Sequence, residues 1–562
     1  MNPKMFFQRR GSQMMGILSC LLLSVFIVLP LGFVIETSFV GSDGVFSLAS
    51  YQHLFREENL KAILNSLLLG ISVVGMSSLI ALPCAYILSR TKLRKFYILD
   101  ILLMIPFMIP PYINSMGWME FMGRNGILVR WNPVFKPLCS YFSTTFFGMV
   151  FIMSLHTAPF LMTMMKNAFL SFPRSLDDAN SIYSDSKLRS ALHVGLPILL
   201  PNYAIGAFLV FVKALSEYGT PATFGTKINF PVFSTLITDY MQVSPIDFSM
   251  ASALASLLLV LCLSMWLLEM FVTDKFCYPL RKERQKEARE PLFITICCSL
   301  FLLVVFVVSC LIPLYSIFSC SIKKISYYGF SKDNLTMEYY HMAFFDETGF
   351  GNGYEAILHS FLIGFSSCLI ILFIGFFLVC YFRKNPKKRL SRSVEFLSTI
   401  PQMVPNIVLG IGLIMLYSTI RKSIPIYGTP FMLVIGYSIA FLPTMISYIK
   451  NALIQVPGSI LEASRLYARN GFVTDLKVLL PLSVKGAFYG FMMTLIVTLR
   501  ELVLAKLLQP SGYYTISLFI DFQYQQGNQQ AAMAFAVISV LITLVILIPL
   551  EILFNHRKKI EK

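Results

Sequence analysis

Acidic residues are scarce in this sequence, and four of them recur in matched pairs. Asp178 is followed by Ala179 and, 19 residues on from the acid, by Pro197; Glu462 is followed by Ala463 and, at the same distance, by Pro481. Glu217 and Glu501 each stand 20 residues beyond those prolines. Lys213 lies one helical turn before Glu217, and Arg500 adjoins Glu501. The first pair falls in polar stretches between apolar segments, where a solvated amphipathic loop is the plain reading. The second pair suits the passage of a charged solute, because ionisable groups within apolar segments are functional candidates. Local charge pairing, or snorkelling to a membrane surface, is the plainer reading of Lys213 and Arg500.

Other chemistries find little support. The six histidines show no paired spacing; His156 and His359 fall in apolar segments, where packing is the plainer role. The eleven cysteines sit mostly in apolar runs, with no CxxC and no zinc spacing. Cys139 and Cys320 fall in or beside segments outside those runs, so a disulfide between them is left open. There is no H-E-x-x-H, no triad signature and no G-x-x-x-x-G-K-[ST] loop to cradle phosphates. The expectation is a protein that is no enzyme and binds no metal or cofactor.

The elements that must position these groups are membrane spans. Of 562 residues, 56% are apolar and only 13% are charged, about half the usual globular share of roughly 25%. Mean hydropathy is +0.70. Runs of the length that crosses a bilayer fall near 15–35, 62–88, 97–118, 145–169, 200–220 and 247–271, then near 293–317, 356–382, 394–417, 429–452, 484–506 and 531–553. The first run is too long for a signal sequence and reads as an uncleaved span. The net charge of +17 resolves into clusters: Lys4, Arg9 and Arg10; Arg90 to Lys95; Lys275 to Arg289; Arg383 to Arg392; and Arg557 to Lys559. With twelve spans and both termini cytoplasmic, all of them fall on the cytoplasmic side, with Arg421 and Lys422 as misfits. The chain is therefore read as an all-α, multi-pass membrane protein. Its surroundings are the lipid bilayer, and its basic excess needs no nucleic acid.

The spans form a tandem repeat. Pro159 to Glu217 aligns without gaps on Pro443 to Glu501 at a spacing of 284 residues, with Lys166-Asn167-Ala168 on Lys450-Asn451-Ala452. Upstream, Ile105-Pro106-Phe107-Met108-Ile109-Pro110 matches Ile400-Pro401-Gln402-Met403-Val404-Pro405 at a spacing of 295. Six spans per half make this a parallel repeat. The expected units are a first domain over 1–273, a charged linker over 274–291 and a second domain over 292–562. Pro106, Pro110, Pro401 and Pro405 remove helix hydrogen bonds, and interrupted helices at matched positions point to a translocation path.

The loops between the fourth and fifth spans of each half, 170–199 and 454–483, resemble the signature of permease subunits of bacterial ABC importers. That family carries an acid-Ala-Ala run, a glycine six residues after the acid, and a distal Leu-Pro. Asp178, Ala179 and Pro197 match it, as do Glu462, Ala463 and Pro481. Asn180 and Ser464 replace the second alanine, and Ser184 and Ala468 replace the glycine, losing its access to positive φ. The fused halves, Leu215-Ser216-Glu217-Tyr218-Gly219-Thr220-Pro221 and Leu499-Arg500-Glu501-Leu502 are similar to the ferric-iron group of that family. The resemblance implies two copies of a cytoplasmic ABC ATPase, which uses the ATP, docked on the two loops. It also implies an extracytoplasmic binding protein received by loops 36–61, 119–144, 221–246 and 318–355. Import of phosphonate, polyamine, thiamine or sugar phosphate is the alternative within the family. From another class, an ion-gradient-driven secondary transporter also has twelve spans, but would lack the paired acid-Ala loops.

Overall fold

The computed structural model describes residues 14–40, 44–173, 195–276, 291–345, 353–385, 388–454, 456, 459–460, 463 and 475–560. Among them there are no strands, only two isolated bridges. The first half is framed by α1 (Met14–Ser38), α2 (Glu57–Arg90), α3 (Ile98–Met108), α4 (Pro111–Met122), α5 (Phe146–Ser171), α6 (Leu196–Ser216), α7 (Gly219–Thr223), α8 (Phe233–Gln242) and α9 (Phe248–Lys275). Their counterparts in the second are α10 (Leu292–Ser321), α11 (Gly353–Lys384), α12 (Arg389–Met403), α13 (Asn406–Thr419), α14 (Pro430–Ile454), α15 (Asp475–Leu499), α16 (Val503–Leu508), α17 (Ile516–Gln525) and α18 (Gln529–Ile560). Ten described helices are long and apolar enough to cross a membrane, or up to 12 spans if each of two bent pairs counts as one.

The bent pairs are α3 with α4, turning by 90°, and α12 with α13, turning by 108°. Pro106 and Pro401 do not make these breaks; they stay inside α3 and α12. The chain turns one helical turn later, at Ile109-Pro110 and Val404-Pro405. A residue before proline is pushed out of the helical region, and Ile109 (ψ 132°) and Val404 (ψ 132°) are both extended. The prolines that follow set the start of the next helix, where their missing N–H costs nothing.

Within each half the second helix packs on the fourth and the fourth on the fifth: α2, α5 and α6 in one, α11, α14 and α15 in the other. The first helix of each half crosses over. It packs on its own last helix and on the broken span of the other half, α1 against α13 and α10 against α4. Both crossings use the same device. A π turn (Ser24–Val28, Val307–Leu311) precedes Pro30 or Pro313, and there the backbone meets a glycine. A Cβ on Gly412 would stand 2.5 Å from the Pro30 carbonyl, and one on Gly117 would stand 2.7 Å from that of Pro313, so only glycine permits the approach.

Two expectations change. The runs 200–220 and 484–506 do not continue as helices through Glu217 and Glu501; α6 stops at Ser216 and α15 at Leu499. The stretch 221–246 is no plain loop. It holds α8, which buries Phe233, Ile237 and Met241, as its counterpart α17 buries Ile516, Phe519 and Ile520. Each of these helices starts on a serine of its half's second helix: Ser66 Oγ accepts from Phe233 N at 2.7 Å, and Ser360 Oγ from Ile516 N at 2.7 Å. Cys139 and Cys320 are both buried and free, so no disulfide joins them.

Candidate functional site

Proline chemistry explains the geometry at the centre. In a continuous helix the carbonyls of Pro106 and Phe107 would accept from residues 110 and 111, but both of these are prolines without an N–H. Two side chains supply the missing donors. The His156 ring of α5 contacts the Pro106 carbonyl through Nδ1 at 3.1 Å. Arg500, from the other half, donates to the Phe107 carbonyl. The Arg500 guanidinium lies 4.6 Å from the Phe107 ring centroid, and Lys213 Nζ lies 5.6 Å from the same centroid and 5.8 Å from that of Phe160. Phe107 also stacks on His156 at 5.7 Å and Phe160 at 5.9 Å. Cations over ring faces are attracted by the ring quadrupole. Phe107 thus has one cation of each half near its ring.

The two acids occupy matched breaks beyond this ring. Glu217 Oε1 accepts from Thr220 N at 3.2 Å, and Glu501 Oε1 from Leu504 N at 3.2 Å. Each carboxylate caps the short helix that follows it, α7 or α16, in the manner of an acid at a helix start. The side-chain bond three residues ahead competes with continued helix, and this is why the fifth span ends earlier than its apolar pattern. The breaks also touch the broken spans: Asn406, at the start of α13, faces the Glu501 carboxylate, and a Cβ on Gly219 would stand 2.4 Å from Cβ of Tyr112 in α4.

Glu217, Glu501, Lys213 and Arg500 therefore come together, each within electrostatic reach of the others. They are not the local pairs their spacing suggested, since Lys213 turns to two rings and Arg500 to a carbonyl across the molecule. Lys213 is exposed while its neighbours Val212 and Ala214 are buried, and Glu217, Arg500, Glu501 and Phe107 are half-buried. These side chains face accessible space where the two halves meet. Among the described residues, no group of three or more His, Cys, Asp or Glu is placed to hold a metal ion.

Sequence reading passed over Phe107 and left His156 a packing role. Their signal was present: His156 serves the Pro106 carbonyl and Phe107 carries the next one, four residues before Pro110 and Pro111. Of the loop residues, Asp178, Ala179, Ser184, Glu462 and Ala468 lie outside the described residues. Ala463 is helical and exposed. Pro197 and Pro481 stand in the first turn of the fifth-span helices, where proline is tolerated. Both loops are entered past an arginine: Arg90 of α2 donates to the Phe172 carbonyl at 3.0 Å, and Arg383 of α11 to that of Val456 at 2.8 Å.

The repeat is decisive for kinship. The profile of the binding-protein-dependent transport system inner membrane component matches residues 77–274 and again residues 371–558. The chain belongs to that family. Among curated relatives, a putative ferric transport system permease protein of Haemophilus influenzae is 23% identical over 489 residues, 84% of this chain and 74% of the relative. An Fe(3+)-transport system permease protein of the same organism is 20% identical over 501 residues, 88% of this chain and 90% of the relative. A probable molybdenum ABC transporter permease protein of Haloferax volcanii is 29% identical over 149 residues, 26% of this chain and 52% of the relative. This permease is thus a multi-pass transport component of the cytoplasmic membrane with two fused copies of the family's unit. Its family works with a substrate-binding protein and an ATPase.

Proposed function

We propose that this permease imports ferric iron. The observation that carries the reading is the extent of kinship: the relatives matched across both fused halves are named ferric or Fe(3+) permeases, whereas the molybdenum relative matches about a quarter of the chain. An extracytoplasmic binding protein delivers the ion to the end of the bundle that carries α8 and α17. Two copies of a cytoplasmic ABC ATPase dock on loops 170–199 and 454–483, with Asp178 and Glu462 as the contacts, and hydrolyse the ATP. Both termini are then cytoplasmic.

The charge cluster fits such cargo. Glu217 and Glu501 offer hard oxygens, the ligands a small, highly charged cation prefers. Lys213 and Arg500 offset them, so that an ion is drawn in without being trapped, as conduction requires. Proteoliposomes holding the permease and its ATPase, supplied with iron-loaded binding protein, are expected to accumulate iron only when ATP is present. Asp178→Lys with Glu462→Lys is expected to release the ATPase and bring uptake to background while the permease still inserts. Uptake without the ATPase, or normal uptake and ATPase co-purification in the double variant, sinks the corresponding part of the reading.

A further inference from the structure

A third pair of acids is repeated, and it is tied to the lysine of the repeated Lys-Asn-Ala motif. Lys166 on α5 pairs with Asp100 on α3 at 2.5 Å, and Lys450 on α14 pairs with Glu395 on α12 at 2.5 Å. The lysines correspond at the 284-residue spacing and the acids at the 295-residue spacing. The pair is therefore kept across a change in loop length between its members. All four side chains are partly exposed, and exposed pairs add little stability, so stability alone is a poor reason for the duplication.

Position supplies a better one. Each lysine stands near the end of the fourth span, about one turn before the loop proposed to receive the ATPase. Asp100 stands in the first turn of α3, and Glu395 stands nearly two turns into α12. At its other end, α3 carries Phe107 and its Arg500 contact, and α12 carries the Val404-Pro405 break. α3 is 11 residues long and α12 is 15, about 16 and 22 Å at the helical rise of about 1.5 Å per residue. A helix of that length is a stiff lever, and the sharp bend beyond it is a ready hinge.

We infer that the Lys166–Asp100 and Lys450–Glu395 pairs are struts that carry movement of the two ATPase-docking loops into the broken spans. This rests on the docking role proposed for Asp178 and Glu462. The struts are positioning residues: they act on the path through α3 and α12.

The test uses the full permease with its ATPase in proteoliposomes and iron-loaded binding protein. One variant neutralises both struts (Lys166→Gln with Lys450→Gln). A second exchanges their charges (Lys166→Asp, Asp100→Lys, Lys450→Glu, Glu395→Lys). The neutral variant is expected to keep its ATPase and to hydrolyse ATP, while iron imported per ATP falls by roughly fivefold or more, the low end of energetic coupling between sites. The exchanged variant is expected to recover most of that ratio, which a purely structural fault would not do. An unchanged ratio in the neutral variant, or a ratio in the exchanged variant as low as in the neutral one, overturns the struts. Loss of the ATPase from the neutral variant overturns them as well, because the pairs would then shape the docking loop. The docking reading fails by a different sign: an ATPase that stays bound to the Asp178→Lys, Glu462→Lys permease.

Discussion

At the end of the bundle that carries the loops, the two halves are tied by the same residue types in the same places. Arg90 and Arg383 cap matched carbonyls, and Lys166 and Lys450 reach matched acids. At the centre the match breaks down. Arg500 corresponds to Ser216, Lys213 to Val497 and His156 to Ala440. Of the charged side chains there, the glutamates are the ones shared, and both make the same cap. The repeat is thus strict where two identical ATPase subunits would push, and relaxed where one ion would pass. A pathway between unequal walls needs no twofold symmetry. A drive made of two equal motors does.

The largest effect expected from this contrast is at Arg500. Arg500→Gln shortens the side chain and withdraws the donor from the half-buried Phe107 carbonyl, a loss bounded by the about 1–3 kcal/mol of a fully buried unsatisfied acceptor. The contact also crosses between the halves, so the thermal midpoint of the purified permease should fall and uptake with it. The matched change, Ser216→Gln, removes only a bond to the carbonyl of Val212 on its own helix and should stay within about 0.5 kcal/mol of the parent. Equal losses in the two variants would show that the asymmetry has no energetic content.

Next are the shared acids. Glu217→Ala with Glu501→Ala deletes two caps and should cost about 1 kcal/mol for each. Glu217→Gln with Glu501→Gln keeps an acceptor oxygen, so the folded protein should survive with a much smaller loss of stability while iron uptake falls. Uptake that follows the thermal midpoint across the alanine and glutamine variants would make the acids caps alone. Uptake lost in the glutamine variants at near-normal stability would isolate the role of charge.

Much of this arrangement was legible in the residues. The spans announce themselves as apolar runs, and the breaks as prolines without an N–H. What was hidden has physical reasons. Arg500 serves a carbonyl 393 residues away, and no local pattern connects them. Glu217 and Glu501 end helices whose apolar periodicity runs on, because a side-chain cap leaves no mark on hydropathy. Asp100 and Glu395 escaped notice because the acids align at one spacing and their lysines at another. α8 and α17 were too short to stand out, and their buried faces are mixed with Ser, Thr and Asp.

The smallest effect sharpens the comparison from its symmetric side. Ser66 and Ser360 receive the first N–H of α8 and α17 at the same distance, and those helices are buried alike in their two halves. Ser66→Ala and Ser360→Ala each leave one helix-start donor without its acceptor, worth about 0.5–2 kcal/mol. Because the two sites repeat one geometry, the losses should agree within about 0.5 kcal/mol, and the double variant should show their sum, since separate sites without shared partners add within about that margin. Thermal unfolding of the two single variants and the double one decides it. A clear inequality would mean that the difference between the halves reaches past the Arg500 contact into the helices at the mouth. Agreement would confine it to the central charge cluster, where Lys213, His156 and Arg500 have no counterparts in the repeat.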